Sequence, residues 1–208
     1  MRLKFMAVYF ASALCSYSFG LDSAAIYVSS AAAFSELSES EFSTGSVTGA
    51  SYSAGIRTVY KYNGLEYGLH LEERFITRGY SLKPEGIADA KTQSIQFSYA
   101  DTLLGCNFLY FFSQYGAGLN LGLTYGYLYS LSEENTNYSE EFLLSQFAKE
   151  EIGGQIGLLT AVKVSSQLTI AANFDFYKGF TTVYHTLATD YQNFSFIMGL
   201  GLQYYIEL

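Results

Sequence analysis

From Tyr115 to Leu131 the chain alternates without a break. Tyr115, Ala117, Leu119, Leu121, Leu123, Tyr125, Tyr127, Tyr129 and Leu131 take one phase; Gly116, Gly118, Asn120, Gly122, Thr124, Gly126, Leu128 and Ser130 take the other. Successive side chains of a strand point to opposite faces, so this stretch predicts one long strand with a large apolar face and a face of glycine and small polar groups. A helix would scatter both sets around its axis. The same alternation returns at 50–60, at 65–72 and at 194–208, where Phe194, Phe196, Met198, Leu200, Leu202, Tyr204, Ile206 and Leu208 oppose Ser195, Gly199, Gly201 and Gln203.

Which face lies inside decides the fold class. A soluble barrel buries its large apolar residues and wets its exterior with Lys and Glu. Here only 14% of residues are charged, 18% are aromatic, and the polar phase is Gly, Ser, Asn and Thr. A narrow lumen of small polar groups inside a band of Leu, Phe and Tyr fits better, which is the partition of a transmembrane β-barrel. The net charge of −8 argues against a nucleic-acid partner, which needs clustered Lys and Arg. Past the first twenty positions no apolar run is long enough for a membrane-spanning helix.

The amino terminus reads as an export signal: Arg2 and Lys4, an apolar run from Phe5 to Cys15, then Ser18-Phe19-Gly20. The expected division is a signal peptide over 1–20 and a barrel domain over 21–208. Its removal takes Cys15 with it and leaves Cys106 without an intrachain disulfide partner. Strands are predicted at roughly 24–34, 49–61, 64–76, 92–107, 114–131, 152–164, 168–179 and 191–208. Their connections alternate long and short, the pattern of an all-β, eight-stranded antiparallel up-and-down barrel with extracellular loops and periplasmic turns. A ten-strand count, with loops split into strands, is the alternative. Ile95, Phe97 and Tyr99 set one phase and Leu104, Cys106 and Phe108 the other, which predicts a bulge near Ala100-Asp101.

A two-residue turn at Asn63-Gly64 would pair Lys61 with Glu66, Arg57 with His70, Gly55 with Glu72 and Ser53 with Arg74, all facing inward. Charges in a low-dielectric interior need partners. Arg57, Glu66, His70, Glu72 and Arg74, joined by Lys163 and Asp175, are therefore expected to form a structural ion-pair ladder in the lumen, with Arg57 and Glu72 coupled.

Chemistry-bearing motifs are few. Gly116-Ala117-Gly118-Leu119-Asn120-Leu121-Gly122 has G-x-G-x-x-x-G spacing and no helix after it, so it is not a dinucleotide fingerprint. Tyr184-His185-Thr186 with Asp190 lacks the nucleophile and base spacing of a hydrolase. No catalytic, cofactor or metal residues are assigned. The 132–151 segment carries six Glu and one Lys, and Phe142, Leu143 and Phe147 at helical spacing suggest a short amphipathic helix over the barrel mouth.

Three strand motifs carry a resemblance: Gly64-Leu-Glu-Tyr-Gly-Leu-His-Leu-Glu-Glu with Thr77-Arg-Gly-Tyr, Gln114-Tyr-Gly-Ala-Gly-Leu-Asn-Leu-Gly, and Glu151-Ile-Gly-Gly-Gln-Ile-Gly leading to Phe194-Ser-Phe-Ile-Met-Gly-Leu-Gly-Leu. They resemble the bacterial outer-membrane β-barrel domain family that includes the PorT-like proteins and, more distantly, OmpX-type and opacity-type barrels. The resemblance implies a Gram-negative outer membrane, outer-membrane lipids around the barrel, and periplasmic chaperones and barrel-assembly machinery during biogenesis. It also implies a non-enzymatic role in surface contact, adhesion or envelope structure, with an unidentified surface ligand. A small pore is the alternative, and an outer-membrane enzyme acting on lipid or peptide a third reading.

Overall fold

The computed structural model describes residues 22–37, 43–83, 93–133, 144–145, 147–185 and 190–207. The expected export signal, and the 134–143 part of the acidic segment with Phe142 and Leu143, lie outside them. Eight strands close into one antiparallel barrel: β1 (Ser23–Leu37), β2 (Ser43–Tyr62), β3 (Leu65–Lys83), β4 (Gln93–Phe112), β5 (Tyr115–Glu133), β6 (Glu150–Lys163), β7 (Leu168–Gly179) and β10 (Asn193–Glu207). Their order around the barrel is β1-β10-β7-β6-β5-β4-β3-β2, so every barrel strand pairs with its barrel neighbours in sequence and β10 seals against β1. Two further strands of two residues, β8 (Tyr184–His185) and β9 (Asp190–Tyr191), pair with each other apart from the barrel.

The Asn63-Gly64 turn has positive φ at both residues, 48° and 83°. That is the backbone of a turn whose twist matches its strands, and it sets the expected register of Lys61 with Glu66, Arg57 with His70, Gly55 with Glu72 and Ser53 with Arg74. At the next turn β4 runs on to Phe112, beyond the boundary expected at 107, and the chain reverses through Ser113 at φ 59° and Gln114. These turns, the 164–167 connection and both barrel ends of the chain share one rim. The longer connections share the other.

The exterior is apolar in three tiers. Near the turn rim stand Tyr62, Tyr67, Tyr110, Phe112 and Tyr115; Leu69, Leu104, Leu121, Leu123, Ile156 and Leu200 follow; then come Tyr52, Phe75, Tyr125, Tyr127 and Phe196. Phe112 is 79% exposed and Leu200 64%. An aliphatic band between two aromatic girdles is the surface that a bilayer solvates and water does not, and the closed sheet leaves no unpaired edge in that band. This barrel is built to cross a membrane.

Strands β2 to β5 are 19 or 20 residues long. At a rise of about 3.3 Å per residue and a tilt of about 40° they stand roughly 50 Å high, about twice the ~25 Å apolar band. Their upper parts project past the bilayer on the loop side, and there the partition reverses. On β4 Ile95, Phe97 and Tyr99 are buried inside while Ser94, Gln96 and Ser98 face out. The expected change of phase within β4 therefore does not occur: its odd-numbered residues point inward from Ile95 to Phe111. What changes is the solvent outside. The irregularity sits in the β4–β5 ladder between Ser98 and Tyr99, and it turns Leu131, expected outside, inward with Leu128, both 2% exposed.

Candidate functional site

The lumen holds the charged side chains, and the strands place all seven expected members there. Arg57, Glu66, His70, Glu72, Arg74 and Asp175 are buried, and Lys163 is partly exposed near the turn rim. They do not form one ladder. Glu66 accepts from Lys163 Nζ at 2.8 Å and from the Tyr205 hydroxyl at 3.1 Å. Glu72 takes Arg74 at 2.9 Å and the Tyr27 hydroxyl at 2.8 Å. Asp175 accepts from the side-chain amides of Asn120, at 3.1 Å, and Asn173. Arg57 has the expected register opposite His70, yet its three guanidinium nitrogens and His70 Nδ1 have no hydrogen-bond partner among the described residues. The coupling expected between Arg57 and Glu72 is absent because Arg74, two residues along the same inward face, takes that carboxylate first.

A second cluster lies nearer the loop rim. Arg78 on β3 pairs with Asp101 on β4 and, at 2.9 Å, with Glu151 on β6; Arg78 and Glu151 are both 0% exposed. The guanidinium carbon of Arg78 sits 4.1 Å from the Tyr177 ring centre and 4.9 Å from that of Tyr99, a cation held over two aromatic faces. Asn193 on β10 donates to Glu151 at 3.0 Å and to the Tyr99 hydroxyl at 3.2 Å. Glycines make the room: a Cβ at Gly153 would fall 2.3 Å from the Tyr177 hydroxyl, and one at Gly179 would fall 2.2 Å from Glu151 Oε1. Sequence reasoning missed this cluster because it ended β3 at 76. The inward phase of Arg74 and Ile76, continued one step, reaches Arg78.

Both clusters belong to one geometric scheme. Glu66 reaches Lys163, Arg74 donates to Gln155 at 2.9 Å, and Arg78 reaches Glu151. Each contact joins β3 to β6, strands separated by β4 and β5. Positions 66, 74 and 78 on β3 step upward as 163, 155 and 151 on β6 step back by the same amounts, so the two walls face each other in a constant register. The level between the first two struts belongs to His70 and Leu159, and there a cavity of about 60 Å³ opens.

Apolar packing fills the lumen above the highest strut and around the lowest one. Toward the loops Tyr80, Ile95, Phe97, Leu128, Leu131 and Val183 pack together, with Leu144 and Phe147 against them. Residues 144–145 are helical, and the Phe147 ring lies 5.0 Å from that of Phe97. Leu109, Phe111, Leu159, Ala161 and Ala171 form a second apolar cluster around the Glu66–Lys163 strut, with the Lys163 ammonium 3.7 Å from the Phe111 ring centre. The lumen is thus not the uniformly small and polar channel that the alternation predicts. The remaining candidates stay apart: His70 is sealed inside, while His185 and Asp190 are backbone partners in the β8–β9 ladder.

No protein-family model and no curated protein sequence matches this chain. Among solved structures it is similar to Neisserial surface protein A, at 16% identity over 86% of this chain and 97% of that one with a TM-score of 0.47. It is also similar to the outer membrane protein OprG from Pseudomonas aeruginosa, at 11% identity over 90% and 98% with a TM-score of 0.47. A third is Ail, the attachment invasion locus protein of Yersinia pestis, at 13% identity over 86% and 98% with a TM-score of 0.45.

Proposed function

We propose that this chain is an integral outer-membrane barrel of a Gram-negative bacterium whose lumen is closed and whose work is done at the loop rim, as a non-enzymatic surface-contact or envelope-structural protein. The observation that carries the reading is the set of three β3–β6 struts, with one apolar cluster above them and a second packed around the lowest. An eight-stranded barrel is just wide enough for its own side chains, and here they bridge it from wall to wall. The projecting β2–β5 wall, with Thr48, Gln96 and Ser132 outward, supports contact with the aqueous side. The exterior band supports outer-membrane lipids as the surrounding partners, and export to that membrane implies periplasmic chaperones and the assembly machinery.

The contact role is tested by expressing the full chain in a Gram-negative host, treating whole cells with protease to cut the 134–143 segment, and scoring cell attachment to surfaces and host matrix. Loss of attachment with the barrel still in the outer-membrane fraction supports contact. Unchanged attachment in cells with cut loops removes the contact role and leaves the structural one. Recovery of the protein in a soluble periplasmic fraction overturns the whole reading.

A further inference from the structure

The cavity at the level without a strut is lined by oxygen atoms that the fold leaves unused. Asn107 on β4 and Asn120 on β5 are register partners, both inward and both more than nine-tenths buried. Each lines the cavity, and neither Oδ1 accepts a hydrogen bond among the described residues. The Nδ2 of Asn120 is already committed to Asp175, which fixes its Oδ1 as the free end. Asp175 is 0% exposed, and among the described residues the side chains that bond it are the neutral amides of Asn120 and Asn173. No Lys, Arg or His nitrogen among the described residues stands within ion-pair distance of it.

The carboxylates that line the cavity outnumber the guanidinium groups that line it. Glu72 and Asp175 face it against the single guanidinium of Arg74, with His70 and Tyr27 the other titratable groups. Glu72 and Arg74 bind each other, which leaves the Asp175 carboxylate without an ion-pair partner among the described residues, in a low-dielectric interior where an unpaired ion is strongly disfavoured; the unpaired guanidinium of Arg57, opposite His70, makes no ion pair with it. Hard cations are bound by carboxylate and amide oxygens. No three His, Cys, Asp or Glu side chains converge among the described residues, which speaks against a divalent metal. The cavity's 60 Å³, against the roughly 10–15 Å³ that one water needs on the same measure, leaves room for an ion and a water or two. We infer that the central cavity binds a monovalent alkali cation, with Asp175 supplying the charge and Asn107 Oδ1 and Asn120 Oδ1 the neutral oxygens.

The inference is independent of what the loops contact and is tested on the full chain folded in detergent. Urea unfolding is compared in sodium chloride and in N-methylglucamine chloride at equal ionic strength and pH 7.5. A ligand that binds only the folded state raises the folded-to-unfolded ratio in proportion to its concentration once above its dissociation constant, so up to a tenfold gain per tenfold sodium is expected for the unmodified chain. Asp175→Asn is expected to remove the sodium dependence and Asn107→Leu to weaken it. Crystals soaked in rubidium chloride are expected to give an anomalous peak between Asn107 and Asn120, a readout that stands even if both variants fail to fold. Identical unfolding in the two salts, sodium dependence surviving in Asp175→Asn, or an ordered water only in the rubidium crystals would each overturn the site.

Discussion

Arg78 on β3 and Glu151 on β6 meet at 2.9 Å across the lumen, 73 residues apart in the chain and on strands that share no edge. Asp101 holds the same guanidinium from β4. Removing one partner of a buried ion pair typically costs about 3–5 kcal/mol, because the remaining charge is left uncompensated. Arg78→Met strands two carboxylates and is expected to cost at least that much in urea unfolding of the detergent-folded barrel. Adding Asp101→Asn and Glu151→Gln should restore more than half of the loss. A triple variant as unstable as the single one would assign the loss to the contacts with Tyr177 and Tyr99 instead.

Arg57 gives the opposite expectation. Arg57 is 1% exposed and its guanidinium has no hydrogen-bond partner among the described residues, so it contributes a desolvation cost with no pairing to offset it. Arg57→Met should be neutral or stabilising, within about 1 kcal/mol. The coupled pair is Glu72 with Arg74: their double variant should depart from additivity by about 1 kcal/mol or more, while Arg57 with Glu72 should add within about 0.5 kcal/mol. A loss above about 2 kcal/mol for Arg57→Met would mean that the residue has a partner.

The exterior makes a depth-dependent prediction. Leu121 lies in the aliphatic tier and Tyr62 in the girdle by the turns, both exposed on the outward face. Arginine at the middle of a bilayer-facing barrel wall costs about 2–4 kcal/mol and near its interfaces about 0–1 kcal/mol. Unfolding of Leu121→Arg and Tyr62→Arg in lipid vesicles should therefore separate by roughly 2 kcal/mol. Equal costs would show that no membrane surrounds that tier.

The hairpin register was legible because Asn63-Gly64 admits few turn geometries, and that one turn fixed four inward pairs at once. Strand count and the alternation of long and short connections were legible because the lipid-facing tier tolerates few interruptions. The phase of β4 was not: Ile95 and Phe97 look lipid-facing by composition, yet they sit above the bilayer, where apolar residues turn inward as in a soluble protein. Leu131 was misplaced by a one-residue irregularity in the ladder, which reverses every side chain beyond it. The ion clusters were half legible. Cross-strand register finds neighbours such as Arg57 and His70, whereas the contacts that bridge the lumen depend on how the closed, tilted sheet brings β3 opposite β6. The β4–β3 register even sets Arg74 opposite Asp101, and the bond goes to Arg78.

Planar-bilayer recording of the purified full-length barrel tests the closed lumen most directly. With Glu66–Lys163, Arg74–Gln155 and Arg78–Glu151 crossing the interior and apolar clusters packed above and among them, insertion should leave the current at baseline at every holding potential. Stable, reproducible conductance steps from the unmodified protein would contradict it.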